Sequence, residues 1–361
     1  MRPARRAWWL GLSAGCLALA GCRTLADHIA RPQGQALLPA STLAWIDQVA
    51  GVRQAYFHAS DGERLAYRDL APGRRGLRFE FQRREGGMAF SLDFEGEAAP
   101  VPAGAARGTV VLLHGWGLEG SAMLPWALAL AEHGWRAIVP DLRGHGRSGA
   151  SPGFGPREGE DIAGLLATLR GAGGLDDGPV LLLGVSHGAV AALHAGARLG
   201  DQVAGIVAIS PYASARQGIH GVIDAARRMP ATGLRGRAAR AWMRWRYTPA
   251  AVDAAMRVAG RRMGAELAAV ETGPAVDALR ACTLVLHGDE DGVFETADVQ
   301  ALAQRSPQAR FIALDGENHL TAPLRLDLLA APLAAWFAQL PRAPCPAFES
   351  PAAAAAPLPS L

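Results

Sequence analysis

Lysine is absent: all 36 cationic residues are Arg. With 43 Gly among 361 residues and abundant Ala, this absence reads as the mark of GC-rich codons rather than of function. Charge is scarce at 19% of residues against 50% hydrophobic, which excludes intrinsic disorder for the bulk of the chain. No apolar run reaches the ~18 residues of a spanning helix. Heptads and self-similar repeats are also missing. There is no H-E-x-x-H, no paired C-x-x-C, no Walker loop and no G-x-G-x-x-G after a strand. No metal or nucleotide cofactor is therefore expected. The cysteines are Cys16, Cys22, Cys282 and Cys345.

Met1 to Arg6 carries Arg2, Arg5 and Arg6 with no acid, and Ala7 to Ala20 is almost wholly apolar and small. These are the parts of a secretory signal, too short to span. Removing residues 1–21 takes away three Arg and no acid, so the remaining chain balances 33 against 33. Global attraction to nucleic acid thereby loses its support. Leu19-Ala20-Gly21-Cys22 resembles the bacterial lipobox. That resemblance implies cleavage before Cys22, acylation of its thiol (palmitate among the acyl groups) and a lipid-anchored protein exported across the inner membrane. Arg23, where an Asp would signal retention, implies the outer membrane, facing the periplasm.

Residues 22–53 read as a tether, and residues 54–108 as N-terminal strands and a linker. Asp61-Gly62 and Glu85-Gly86-Gly87 mark two antiparallel hairpins. From Thr109 short apolar runs alternate with helical stretches, the pattern of a mostly parallel sheet covered on both faces. Residues 212–280 interrupt that rhythm and are expected to form an inserted helical cap. Residues 341–361, rich in Pro and Ala, are expected to be a disordered tail.

Gly184-Val185-Ser186-His187-Gly188 is a G-x-S-x-G between an apolar strand and a helix. Such a turn holds a nucleophilic Ser in a strained backbone, with glycines leaving room for the strand–helix crossing. At this point residues 109–340 resemble the α/β-hydrolase family. His114-Gly115-Trp116-Gly117 is similar to its oxyanion loop. Asp141-Leu142-Arg143-Gly144-His145-Gly146-Arg147-Ser148 matches a loop of esterase-like and lysophospholipase-like members. His287-Gly288-Asp289-Glu290-Asp291 and Gly316-Glu317-Asn318-His319 look like the acid and base loops.

The resemblance implies Ser186 as nucleophile, His319 as base and Asp291 as acid. Asp289 and Glu290 remain rivals in the same loop. Independently, a Ser hydroxyl needs a base and the base needs a carboxylate. The order Ser, acid, His also suits the fold. Oxyanion donors are expected from the Trp116 and His187 amides. His114, His145 and His287 are expected to organise loops, and Asp315 and Glu317 to be solvated. The implied activity is hydrolysis of small acyl or (lyso)lipid esters. Thioester, peptide and acyl-transfer chemistry share the constellation, and a non-catalytic binding lipoprotein shares the fold.

Two further expectations concern geometry. The last helix should return Cys345 to the sheet edge that holds Cys282, within bridging reach. Residues 216–262 carry eleven Arg against Asp224 and Asp253 alone. Arg237, Arg240 and Arg244 recur at helical spacing, with Ala238, Ala241, Trp242 and Trp245 opposite. One reading packs the aromatic face over the pocket and solvates the Arg face. The other sets the Arg face against anionic lipid, as a second membrane signal beside Cys22.

Overall fold

The computed structural model describes residues 25–49, 51–84, 87–94, 106–175, 177–229, 231 and 233–349, with the backbone of Trp8–Trp9. Apart from those two tryptophans, the expected leader lies outside the described residues, as do Cys22 and residues 350–361. The strands are β1 (Trp8–Trp9), β2 (Val52–His58), β3 (Arg64–Leu70), β4 (Leu77–Arg84), β5 (Gly87–Phe94), β6 (Thr109–Leu113), β7 (Arg136–Pro140), β8 (Val180–Val185), β9 (Gly205–Ile209), β10 (Cys282–Gly288) and β11 (Ala309–Leu314). Eight of them form one sheet in the order β11-β10-β9-β8-β6-β7-β3-β2. The six strands from β7 to β11 in that order run parallel, and the β2–β3 hairpin adds antiparallel to β7. A separate antiparallel sheet, β1-β5-β4, lies outside it.

Strand alternation explains why both faces are covered. Val110 and Leu112 of β6, with Leu181 and Leu183 of β8, enter one core cluster beside Trp126, Trp135 and Trp336. Val111, Leu113 and Leu182 point the other way, into a cluster with Ile162, Leu165 and Leu193. Successive residues of a strand face opposite sides, so a strand buried twice must be apolar throughout. Each fully buried Leu or Val contributes roughly 1.5–3 kcal/mol.

Between β9 and β10 the cap is built of α-helices Ala215–Arg228, Gly233–Arg246, Pro249–Met263 and the short Gly273–Asp277. The aromatic face expected to pack over the pocket does not do so. Only Met243 of Gly233–Arg246 is buried, while Trp242 and Trp245 are 43% and 75% exposed. The neighbouring helices already supply Ile219, Ile223, Val252 and Met256 to the cap interior, leaving room for one side chain from this helix.

The expected tether is folded. Leu25–Ala30 is an α-helix whose Leu25, Ala26, Ile29 and Ala30 are buried in the same cluster as Val252 and Met256. The next residues strap across two loops of the body. Gln33 donates to Gly144 O (3.2 Å), Gly146 donates to Gln33 O (3.0 Å) and Gln35 donates to Gly117 O (2.8 Å). Gly34 between them has φ +66°, and a Cβ there would lie 2.5 Å from Leu118 O. Only glycine meets both demands.

The tail is also ordered further than expected, through residue 349. Cys345 is disulfide-bonded to Cys282, Trp336 Nε1 donates to Pro346 O (3.1 Å), and Phe348 is buried. A bridge closing a long loop restricts the unfolded chain. Cys345→Ser should therefore lower the unfolding free energy by about 2–4 kcal/mol in urea melts. The loop expected to carry Ser186 should be unaffected, because Cys282 opens β10 at the opposite edge of the sheet. An unchanged melt would remove the structural role of the bridge.

Candidate active site

Ser186 sits between β8 and the helix His187–Leu199, with φ 53° and ψ −112°. A non-glycine residue at positive φ is strained and persists only where its surroundings hold it. Here they do. A Cβ at Gly184 would lie 2.1 Å from Gly188 O, and one at Gly188 would lie 2.1 Å from Leu113 O. The Ser186 amide is also tied to Ile209 O at 2.8 Å.

The structure brings the three expected residues together. His319 Nε2 lies 3.1 Å from Ser186 Oγ, and His319 Nδ1 lies 2.8 Å from Asp291 Oδ2. The Asp291 side chain is wholly buried, and its Oδ1 accepts from the Val293 (2.8 Å) and Phe294 (3.1 Å) amides. Burial pushes the Asp291 carboxyl up, but His319 and the two amides outweigh it and hold the group below its usual range. The rival Asp289 instead accepts from the exposed Gly316 amide at 2.6 Å. Glu290 is exposed.

The loop carrying Trp116 runs beside Ser186, since a Cβ at Gly115 would lie 3.7 Å from Ser186 Cβ. Its shape is set by the Asp141–Ser148 loop. His114 Nε2 accepts from Leu142 N (2.9 Å), and His145 Nε2 accepts from Gly117 N (3.3 Å). Asp141 Oδ1 accepts from Gly120 N (2.8 Å). Arg143 is pinned by a two-point contact with Asp161 (2.6 and 2.7 Å). His287 stands behind the acid, 3.6 Å from Asp291 Oδ2.

Two carboxylates differ from the sequence reading or escape it. Glu317 is not solvated: it is 2% exposed and pairs with Arg83 of β4 (2.6 Å) and with Arg325. This ties the outer hairpin to the loop that carries His319. Glu158 is fully buried and accepts from the Gly153 (2.6 Å) and Gly155 (2.8 Å) amides. Its Oε1 lies 3.5 Å from His187 Nε2, and His187 Nδ1 meets the Tyr212 hydroxyl at 2.8 Å. Burial alone would raise the Glu158 pKa, but His187 and the glycine amides bring it down to about 2. Trp116 stacks on Phe154 with centroids 4.8 Å apart and stands edge-on to His187 at 5.3 Å. Phe294 stands edge-on to His319 at 5.0 Å. The one sequence signal for Glu158 is its place three residues after the helix start at Gly155, where a carboxylate caps free amides.

A family model described as serine aminopeptidase, S33 matches residues 104–321. Among curated proteins, the uncharacterized protein YqkD of Bacillus subtilis (strain 168) is 24% identical over 217 residues, 59% of this chain and 65% of that protein. A pimeloyl-[acyl-carrier protein] methyl ester esterase of Pectobacterium atrosepticum is 42% identical over 65 residues, 18% of this chain and 24% of that one. The chain thus spans less than two thirds of either relative's length. Among solved structures, the Pyrococcus furiosus esterase Pf2001 aligns with a TM-score of 0.55 at 15% identity, over 85% of this chain and 97% of that one. An esterase of Exiguobacterium antarcticum aligns at 0.50 with 14% identity, over 78% and 98%. These structures share the fold seen here. Because the family model spans more than half of its residues, the chain belongs to the serine aminopeptidase, S33 family of α/β-hydrolases.

Proposed function

We propose that the protein is a serine hydrolase of carboxylic esters, with small acyl or lysolipid-type esters as its substrate class. The observation that carries this reading is the unbroken relay from Asp291 through His319 to Ser186. Ser186 Oγ attacks the acyl carbonyl while His319 Nε2 takes its proton. Asp291 holds the Nδ1–H and stabilises the imidazolium. The amides of Trp116 and His187 receive the oxyanion; neither donates to another group among the described residues. His319 then returns the proton to the departing alkoxide, leaving acyl-Ser186. Water, deprotonated by His319, attacks the acyl-enzyme and releases the acid and free Ser186.

Esters come before peptides for two reasons. The partial relative is named a methyl ester esterase, and the Asp141–Ser148 loop resembles that of esterase-like members. A fluorophosphonate probe should label Ser186, and p-nitrophenyl esters of graded chain length should turn over at least ~100-fold faster than aminoacyl p-nitroanilides. Labelling with the reverse preference would assign a peptidase. An unlabelled Ser186 in folded protein would leave a binding protein. Acylation of Cys22 belongs to the same reading and is checked by intact mass of cell-derived protein. A free Cys22 thiol there would refute the anchor.

A further inference from the structure

The helix Gly233–Arg246 contributes one buried side chain, Met243, out of 14 residues. Burial of an apolar face is what normally stabilises such a helix, and here that face points outward. Leu234, Ala238, Ala241 and Trp245 follow the spacing i, i+4, i+7, i+11, so they line one stripe. All four are exposed, Leu234 by 79% and Trp245 by 75%. The stripe lies opposite Met243, with Arg237 and Arg244 along one side and Trp242, Arg235 and Arg246 along the other.

The charges are uncompensated. The helix contains no acid, and the acids of the neighbouring cap helices are already engaged. Asp253 holds Arg216 at 2.8 Å and His220 at 2.8 Å, and Asp224 holds Arg227 at 2.6 Å. Arg235, Arg237, Arg240 and Arg244 form no ion pair among the described residues. Arg237, Arg240 and Arg244 are three and four residues apart, a spacing at which like charges repel. An anionic surface would remove that repulsion, and indole rings favour the boundary between headgroups and acyl chains.

We infer that Gly233–Arg246 is an interfacial helix that seats the cap on an anionic phospholipid bilayer, with Leu234 and Trp245 inserted and the flanking arginines on headgroup phosphates. The chain's course agrees. Only Arg23 and Thr24 separate Cys22 from the helix Leu25–Ala30, which packs on Pro249–Met263 of the cap and joins it through Asp27 and Arg262. An acyl chain at Cys22 would thus anchor the chain close to the cap helix Pro249–Met263. This rests on the hydrolase reading only in naming lipid esters as the substrates such docking would serve.

The test is co-sedimentation of the chain from Arg23 onward, which has no Cys22 to acylate. The vesicles are phosphatidylcholine alone or phosphatidylcholine with 30% phosphatidylglycerol, at low and high salt. Binding is expected to be at least tenfold tighter to the anionic vesicles and to weaken in high salt. Leu234→Ser with Trp245→Ser, and separately Arg237, Arg240 and Arg244 changed to Gln, should each lose at least tenfold in binding. Hydrolysis of a small soluble ester should stay at the wild-type rate in both variants. Ser186→Ala should bind as wild type does, so a failed esterase assay and a failed docking surface give separate signatures. Equal binding by wild type and both variants would overturn the inference. So would a concentration-dependent dimer that the serine variant abolishes in protein with no affinity for vesicles, since the stripe would then be a protein interface.

Discussion

Ser186→Ala and His319→Ala are each expected to lower kcat by about 10⁴–10⁶-fold, and together to lose little more than either alone. The reason is that in the proposed mechanism the two groups act as one device. Without the imidazole 3.1 Å away the hydroxyl keeps its proton, and without the hydroxyl the imidazole has nothing to activate. Asp291→Asn should cost about 10³–10⁴-fold. An amide in that buried site no longer neutralises the imidazolium, and it sets its own N–H against donors at Val293, Phe294 or His319. Asp289→Asn should stay within about threefold, since its carboxylate serves an exposed amide of the base loop. Steady-state kinetics on a p-nitrophenyl ester, with circular dichroism to verify folding, decide the matter. A larger loss at Asp289 than at Asp291 would reassign the acid, and substantial turnover by folded Ser186→Ala would end the nucleophile assignment.

The elbow is legible in the sequence because strand, turn and helix follow one another within a dozen residues. The packing there also admits no side chain at 184 or 188. The doubly buried strands are legible for the same local reason: continuous apolar runs have no solvent face to advertise. The pairing of Cys282 with Cys345 follows from topology, since a helix starting at the catalytic edge must end at the other.

Residues 25–49 are different. They look like a linker because their buried apolar helix, Leu25–Ala30, is only six residues long, and the hold at Gln33 and Gln35 is main chain to main chain, which leaves no side-chain signature. Glu317 looks solvated because its two arginines, Arg83 and Arg325, come from distant elements that only the folded chain brings together. Glu158 and Tyr212 escape notice because their partner is the side chain of His187, whereas the motif there speaks only for its backbone amide. For Gly233–Arg246 the helical period is plain, but which face turns inward depended on how much of the cap interior its neighbours had already filled.

Acid is expected to begin destabilising this protein below about pH 6.5, before most carboxylates titrate. Burial depresses His114 to about 4 and His194 to about 4. Burial also carries His145 well below its usual value. In the unfolded chain these groups titrate near 6.5. A folded pKa below the unfolded one means that stability is full above about 6.5 and falls as pH drops toward the folded value, because the unfolded chain takes up protons that the folded chain refuses. At pH 5 each group shifted from 6.5 to 4 costs about 2 kcal/mol relative to pH 8, so His114 and His194 together remove about 4 kcal/mol. That is a large share of the roughly 5–15 kcal/mol typical of a folded domain. Glu158, held at about 2, keeps its contribution through this window and yields only in stronger acid. His194 is the better probe, because His114 bonds Gly115 and Leu142 whereas His194 Nε2 has no hydrogen-bond partner among the described residues. Asp161, whose carboxyl burial raises to about 6, offsets part of this loss, so urea melts of wild type should show lower stability at pH 5 than at pH 8, and the same difference for His194→Gln should be about 2 kcal/mol smaller. An equal loss in both proteins would mean that His194 takes up its proton as readily in the folded chain as in the unfolded one.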